Sequence, residues 1–325
     1  MFMRAYIYNF YYNTPMVDFE YMKLPLSMFH QEILEHYDLK GLLAAYGYVC
    51  KETRKRILGL KQARRLARNR LTKNLAWNGY ALVPHPHHTS DLVLSLVVGD
   101  FGIKFTRKED SNHLLKSLQE DYAITKDWTG GKYIGLTLKW DYVNRNMSVS
   151  ITGYVKPALL KFQSNNTTKP QDAPHWWNQP TYCAKTQYAD TDNAYLVDAQ
   201  STLYVQQVCG TLLYYAIAVD QIMLVVINSI ATAQANATTT TMADIAWLLN
   251  YAATHPDAKL HYHAIDMILH IARNASYLSE ERSRSRDGGI FTLSNQLLDN
   301  GNKTPTFPTN NGAIHRLWQL IKTVV

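Results

Sequence analysis

The sequence predicts an α+β protein, and three observations lead there. Between residues 92 and 155 an apolar hairpin is followed by a helical segment and then two more strands, an alternation typical of segregated α and β layers. Residues 203 to 255 read as almost continuous helix. "KLHYHAIDMILHIARNASYL" and "RDGGIFTL" then return to strand-like patterning, which predicts a small C-terminal β unit.

In chain order, residues 1 to 30 are aromatic and β-like, with "NTPM" as a turn. "MFHQEILEHYDLKGLLAAYGY" reads as helix up to Gly41. "YVCKETRKRILGLKQARRLARNRLTKNLAWNGY" begins as a strand and becomes a long basic helix. Its apolar positions Leu60, Ala63, Leu66, Ala67, Leu71 and Leu75 follow helical spacing. Arg64, Arg65, Arg68, Arg70 and Lys73 cover its other faces, open to two readings: a solvated surface, or contact with nucleic-acid phosphates. "PHPHH" gathers His85, His87 and His88 in a loop, but its prolines fix the backbone and no carboxylate motif accompanies it, so a loop without metal is expected. The hairpin "LVLSLVVGDFGIKF" sets Gly99-Asp100 between two apolar strands. "KEDSNHLLKSLQEDYAITKDW" reads as helix, and "GKYIGLTLKWDYVNRNMSVSITGYV" as two strands turning at Asn144 to Asn146. Residues 164 to 202 are a Pro/Asn/Thr/Asp-rich connector. In "AIHRLWQLIKTVV", Ile314, Leu317, Trp318 and Ile321 stand at helical spacing and predict a helix.

The chain has 325 residues, enough for two or three domains. A hydrophobic share of 46 % against 18 % charged excludes a disordered chain. A net charge of +7 and a pI near 9.1 suit a polyanionic partner. Cys50, Cys183 and Cys209 are odd in number and widely spaced, which argues against a disulfide framework or a zinc site and for a reducing compartment. "MFMRAYIYNFYY" lacks signal-peptide features, so an intracellular location, cytoplasm or nucleus, is expected. The most membrane-like run, "TLLYYAIAVDQIMLVVINSIATA", carries Asp220 and Gln221 at its middle. A charge there costs roughly 3 kcal/mol on an insertion scale, so the run predicts a buried helix broken near Asp220 rather than a membrane span.

Several blocks, taken together, resemble the Ty1/copia-type retrotransposon polyprotein, from the palm of the reverse transcriptase into ribonuclease H. "NFYYNTPM" resembles the first palm motif and "ILGLKQARRLA" the family's "YGLKQA" block. "LVVGDFGIKF" resembles the hairpin that carries two adjacent Asp, and "YIGLTLKW" the strand that grips the primer. "GYVKPALLKF" and "VCGTLLYYA" resemble the thumb and connection. "NASYLSEERSRSRDGGIFTL" resembles the opening of the tethered ribonuclease H domain. The resemblance implies a reverse transcriptase-like palm and thumb over 1–163 with the fingers missing and a connector over 164–202. It further implies a helical connection over 203–256 and an incomplete ribonuclease H-like segment over 257–325.

The resemblance also implies a chemistry. Family members transfer nucleotides with two Mg²⁺ ions about 4 Å apart, held by carboxylates because Mg²⁺ is a hard cation. Carried over residue by residue, the first palm acid falls on Tyr6 and the first hairpin acid on Gly99, leaving Asp100 as the surviving metal acid. Gly99-Asp100 is equally a good hairpin turn. In the ribonuclease H segment the first acid falls on Asn274. Asp18 and Asp91 are nearby but occupy no motif position. Losing such ligands costs on the order of 10⁴-fold in rate or more. The implied expectation is an inactive remnant that binds no Mg²⁺, with RNA/DNA template-primer as the ancestral partner. For substrate contact the resemblance offers Tyr11 under the sugar, Gln62 against the nucleotide, and Lys61, Arg64, Arg65 and Arg68 on phosphate. The alternatives are core packing for Tyr11 and a plain helix surface for Gln62.

Overall fold

The protein is described by a computed structural model over residues 1–43, 47–55, 62–82, 91–163, 170–176, 192–280, 284–295 and 311–321. It is a mixed α and β protein whose strand pairs are antiparallel. The chain divides into two units, Met1–Ile134 and Gly135–Val325.

In the first unit, β1 (Phe2–Ile7) turns Met3, Ala5 and Ile7 inward, as strand alternation requires. β2 (Pro15–Pro25) precedes α1 (Gln31–His36) and pairs with β3 (Tyr48–Lys55). The helix expected up to Gly41 is therefore a short one, ending at His36. α2 (Ala63–Trp77) buries Ala63, Ala67, Leu71 and Leu75, one residue per turn. β4 (Leu92–Val97) and β5 (Asp100–Phe105) form the expected hairpin, with Phe101, Ile103 and Phe105 facing inward. α3 (Lys108–Gln119) follows, then β6 (Ile124–Asp127) and the short β7 (Lys132–Tyr133). The sheet order is β4-β5-β1-β6. Its inward side chains and the apolar stripes of α2 and α3 form one core.

In the second unit, β8 (Leu136–Asp141) and β9 (Asn146–Ser150) make a hairpin, and α4 (Val155–Lys161) follows. Three helices come next: α5 (Ala199–Ala218), α6 (Leu224–Ala233) and α7 (Thr239–Thr254). β10 (Lys259–His263) pairs with β9. β11 (Ile268–Glu280), β12 (Arg284–Ser294) and β13 (His315–Ile321) form a separate meander. The core unites Val149, Val155 and Leu159 with Val205, Leu212, Ile227, Ile245 and Leu248. Residues 135–163, grouped by sequence with the first domain, thus pack here with the helices. α5 stops before Asp220, as its charge predicts, and a 3₁₀ turn leads into α6. No helix among the described residues is long and apolar enough to cross a membrane.

Two further expectations are overturned: the stretch read as helix as far as Trp128 leaves the helix at Gln119 and carries β6, and the C-terminal helix is absent among the described residues. The segment expected as a C-terminal helix is β13, paired with β12 from Ser285↔Ile321 to Phe291↔His315. The local 3.6-residue spacing yields to long-range pairing, and Gly288 leaves room for the Trp318 ring directly opposite.

Candidate functional site

β1 and β5 bring together the positions that the sequence separates. Tyr6 lies directly opposite Asp100, and the Ile7 amide donates to the Gly99 carbonyl at 2.8 Å. The hairpin loop is Val98-Gly99, and Asp100 already belongs to β5. The strained residue is Val98, at φ 60, in the left-handed region that a β-branched side chain disfavours. The turn is therefore Val98-Gly99 rather than Gly99-Asp100, and the glycine is not its strained position. Gly99 is required by space instead: a Cβ there would stand 2.9 Å from the Ile7 carbonyl oxygen.

Asp100 is held by Arg4. The guanidinium donates from Nε to Oδ1 at 2.5 Å and from Nη2 to Oδ2 at 3.1 Å, and the Ile134 amide reaches Oδ2 at 3.3 Å. The pair joins side chains that are 31 % and 14 % exposed, and the hydrogen bond to Asp100 raises the Arg4 pKa above its ordinary value. Both carboxylate oxygens are therefore engaged. Tyr6 offers a phenol and Gly99 nothing, so this donor set does not suit a Mg²⁺ pair, which needs several carboxylate oxygens. Among the described residues no group of three or more His, Cys, Asp or Glu is placed to hold a metal ion. Arg4 stands in no motif of the sequence; only the β1–β5 register reveals it.

α2 carries the second candidate surface. Because its apolar residues recur every fourth position, Arg64, Arg65, Arg68 and Lys73 fall on the exposed side. They line a broad groove of about 1080 Å³ together with Thr14 and Asn69. Among the described residues, Arg64, Arg65 and Arg68 have no carboxylate partner. Arg70 differs: it bonds the Asn13 carbonyl at 2.5 Å and Asp121 at 3.4 Å, and so fixes α2 in place. Gln62, at the head of α2, donates to Glu20 at 2.8 Å. Tyr11 is only 7 % exposed and packs on Phe10, which favours core packing over sugar contact. Lys61 and the "PHPHH" loop lie outside the described residues.

In the second unit Asn274 is exposed on β11, opposite Gly288. Its neighbour Arg273 pairs with the buried Asp287 at 2.5 Å, and this bond pulls the Asp287 carboxyl below its ordinary pKa. Cys50 is exposed and Cys209 buried, with burial pushing the Cys209 thiol up to about 11. Such a thiol stays protonated and unreactive at neutral pH. Cys183 lies outside the described residues. No protein-family model matches the chain, and no curated protein matches it significantly.

Proposed function

We propose that this chain derives from the RNA-directed DNA polymerase and ribonuclease H of a Ty1/copia-type retrotransposon and no longer catalyses either reaction. The observation that carries the reading is the Arg4–Asp100 pair. A fixed guanidinium now neutralises the one acid left at the β1–β5 junction, where the resemblance calls for divalent cations. Tyr6 and Gly99 flank it and add no carboxylate. At the ribonuclease H position Asn274 supplies a neutral amide. The test is primer extension on an RNA template with Mg²⁺ or Mn²⁺, beside hydrolysis of an RNA/DNA hybrid. Neither product is expected. Metal-dependent extension that Asp100→Asn abolishes would overturn the proposal.

A second reading is a non-catalytic nucleic-acid-binding module, favoured by the carboxylate-free Arg64, Arg65 and Arg68 along the α2 groove. Phosphate contacts make such binding fall with salt, each contributing about 0.9 to the log–log slope on duplex DNA and about 0.7 on single strands. Gel shifts on single strands and hybrid duplexes across a salt series check it. Replacing the three arginines by Gln is expected to weaken binding on both and to flatten the slope. A flat response at low salt in the unsubstituted protein removes this reading.

A further inference from the structure

We infer that the cavity between the C-terminal meander and the start of α6 is a binding site for a small uncharged aromatic molecule, no larger than two fused rings. The site lies wholly in the second unit and uses neither Asp100 nor the α2 groove. It needs no metal and no nucleic acid, so it stands or falls independently of the proposed function.

The strand register builds one wall. Ala272, Ile290 and Arg316 stand in one row across β11, β12 and β13, and Asn274, Gly288 and Trp318 in the next. Strand alternation puts both rows on the same face of the meander. The other wall is Ile222, in the 3₁₀ turn between α5 and α6, with Leu224 and Val225 at the start of α6. The space between them measures about 410 Å³, within the range of small-molecule sites, about 300–1,000 Å³.

The ligand class follows from the atoms that reach this space. Ile222 and Ile290 are 58 % and 41 % exposed, so both keep hydrocarbon outside the core. Trp318 Nε1, Arg316 Nε and Gln221 Oε1 are shielded from water and do not open on the cavity. What Trp318 offers there is therefore ring carbon. A ring against it gains more than an aliphatic group of equal size, because aromatic pairs favour edge-to-face and offset contacts. Among the described residues no carboxylate lines the cavity, so an ammonium would lose its hydration with no acid in exchange. Nor is there an unopposed positive charge for an anion. Arg273 belongs to the other face of β11, where it pairs with Asp287. Arg316 stands in the field of Asp220, which lines the adjoining cavity together with Asp257. His175, at the rim, turns Nδ1 to the Trp176 carbonyl. Asn274, exposed at the end of its row, is the polar group left to meet a ring N–H.

The test is calorimetric titration of the full chain with indole, beside cyclohexanol, tryptamine and indole-3-acetate. Indole is expected to saturate the protein with a Kd below about 1 mM. Cyclohexanol, which lacks the aromatic ring, and the two charged indoles are each expected to bind at least about threefold more weakly. Ala272→Phe, at an exposed position of the edge strand β11, fills the cavity and should abolish indole binding. Trp318→Leu should weaken indole about threefold or more and leave cyclohexanol unchanged. Methyl NMR of the unsubstituted protein gives a readout that needs no variant. Indole should shift the Ile222 and Ile290 methyl signals through its ring current and leave Ile103, buried in the first unit, in place. Absence of saturable binding, any of the other three probes binding as tightly as indole, unchanged indole affinity in either variant, or unmoved Ile222 and Ile290 methyls each overturns the inference.

Discussion

At the scale of single residues, the β1–β5 junction is held by one charge pair and one glycine. Arg4→Ala strips both carboxylate oxygens of Asp100 of their guanidinium, leaving only the Ile134 amide on Oδ2. With Arg4 about a third exposed, solvent recovers part of the loss, and the expected cost is about 1–3 kcal/mol in urea unfolding. Gly99→Ala acts sterically. Its Cβ meets the main-chain carbonyl of Ile7 in β1, a residue whose own amide is bonded to Gly99, rather than a side chain that can swing away. A loss of about 1–3 kcal/mol is expected, with the urea midpoint as the measure. The same contact opposes Gly99→Asp, so returning an acid to this position disturbs the backbone before it can bind a metal. From sequence, position 99 read as a lost acid or a turn residue. The contact with Ile7 was not legible there, because it joins residues far apart in the chain through the strand register.

At the scale of elements, what could be read depended on the range of the interactions that decide each one. α2 was legible because its apolar residues recur every turn, and the α5–α6 break because a charge interrupts an apolar run. β13 was not, since its partner β12 overrides the local spacing. The cavity against α6 needed that same strand in place, so its wall at the α5–α6 break was legible in the sequence but its Trp318 wall was not. α7 offers a cleaner case of local control. Thr238 caps the helix, its hydroxyl accepting from the Thr241 amide at 3.2 Å while the Thr241 hydroxyl accepts from the Thr238 amide at 3.1 Å. The Thr238 hydroxyl also donates to Asp192 at 2.6 Å. Thr238→Ala breaks the cap and the tie to Asp192, and should cost about 1–2 kcal/mol. Thr238→Ser keeps both bonds and should recover most of that loss in the same denaturation experiment.

At the scale of the whole molecule, pH and core packing divide stability between the two units. Asp127, Asp192, Asp198 and Asp287 have carboxyl pKa values below the ordinary one, drawn down by Thr129, Thr238, the Ser201 amide and Arg273 respectively. Their folded values lie under the unfolded value near 3.9, so the unfolded chain takes up protons first on acidification. The stability they give is present above about pH 4 and is lost as pH falls through their folded values. Asp220 and Asp244 are raised by burial and act oppositely, losing stability as pH rises above about 4. Asp287→Asn is therefore expected to flatten the acid limb of a melting-temperature profile. The cores make the larger division. Met3, Phe101, Ile103 and Leu114 belong to one, Val205, Leu212, Ile227 and Leu248 to the other, and the two share no residue. Ile103 and Leu212 are both fully buried, so truncation to Ala leaves a cavity in each case and costs about 2–5 kcal/mol. If each core melts as its own cooperative unit, calorimetry resolves two transitions: Ile103→Ala lowers one and Leu212→Ala the other, with neither variant moving both. Equal displacement of a single transition by both substitutions would show instead that the cores unfold together.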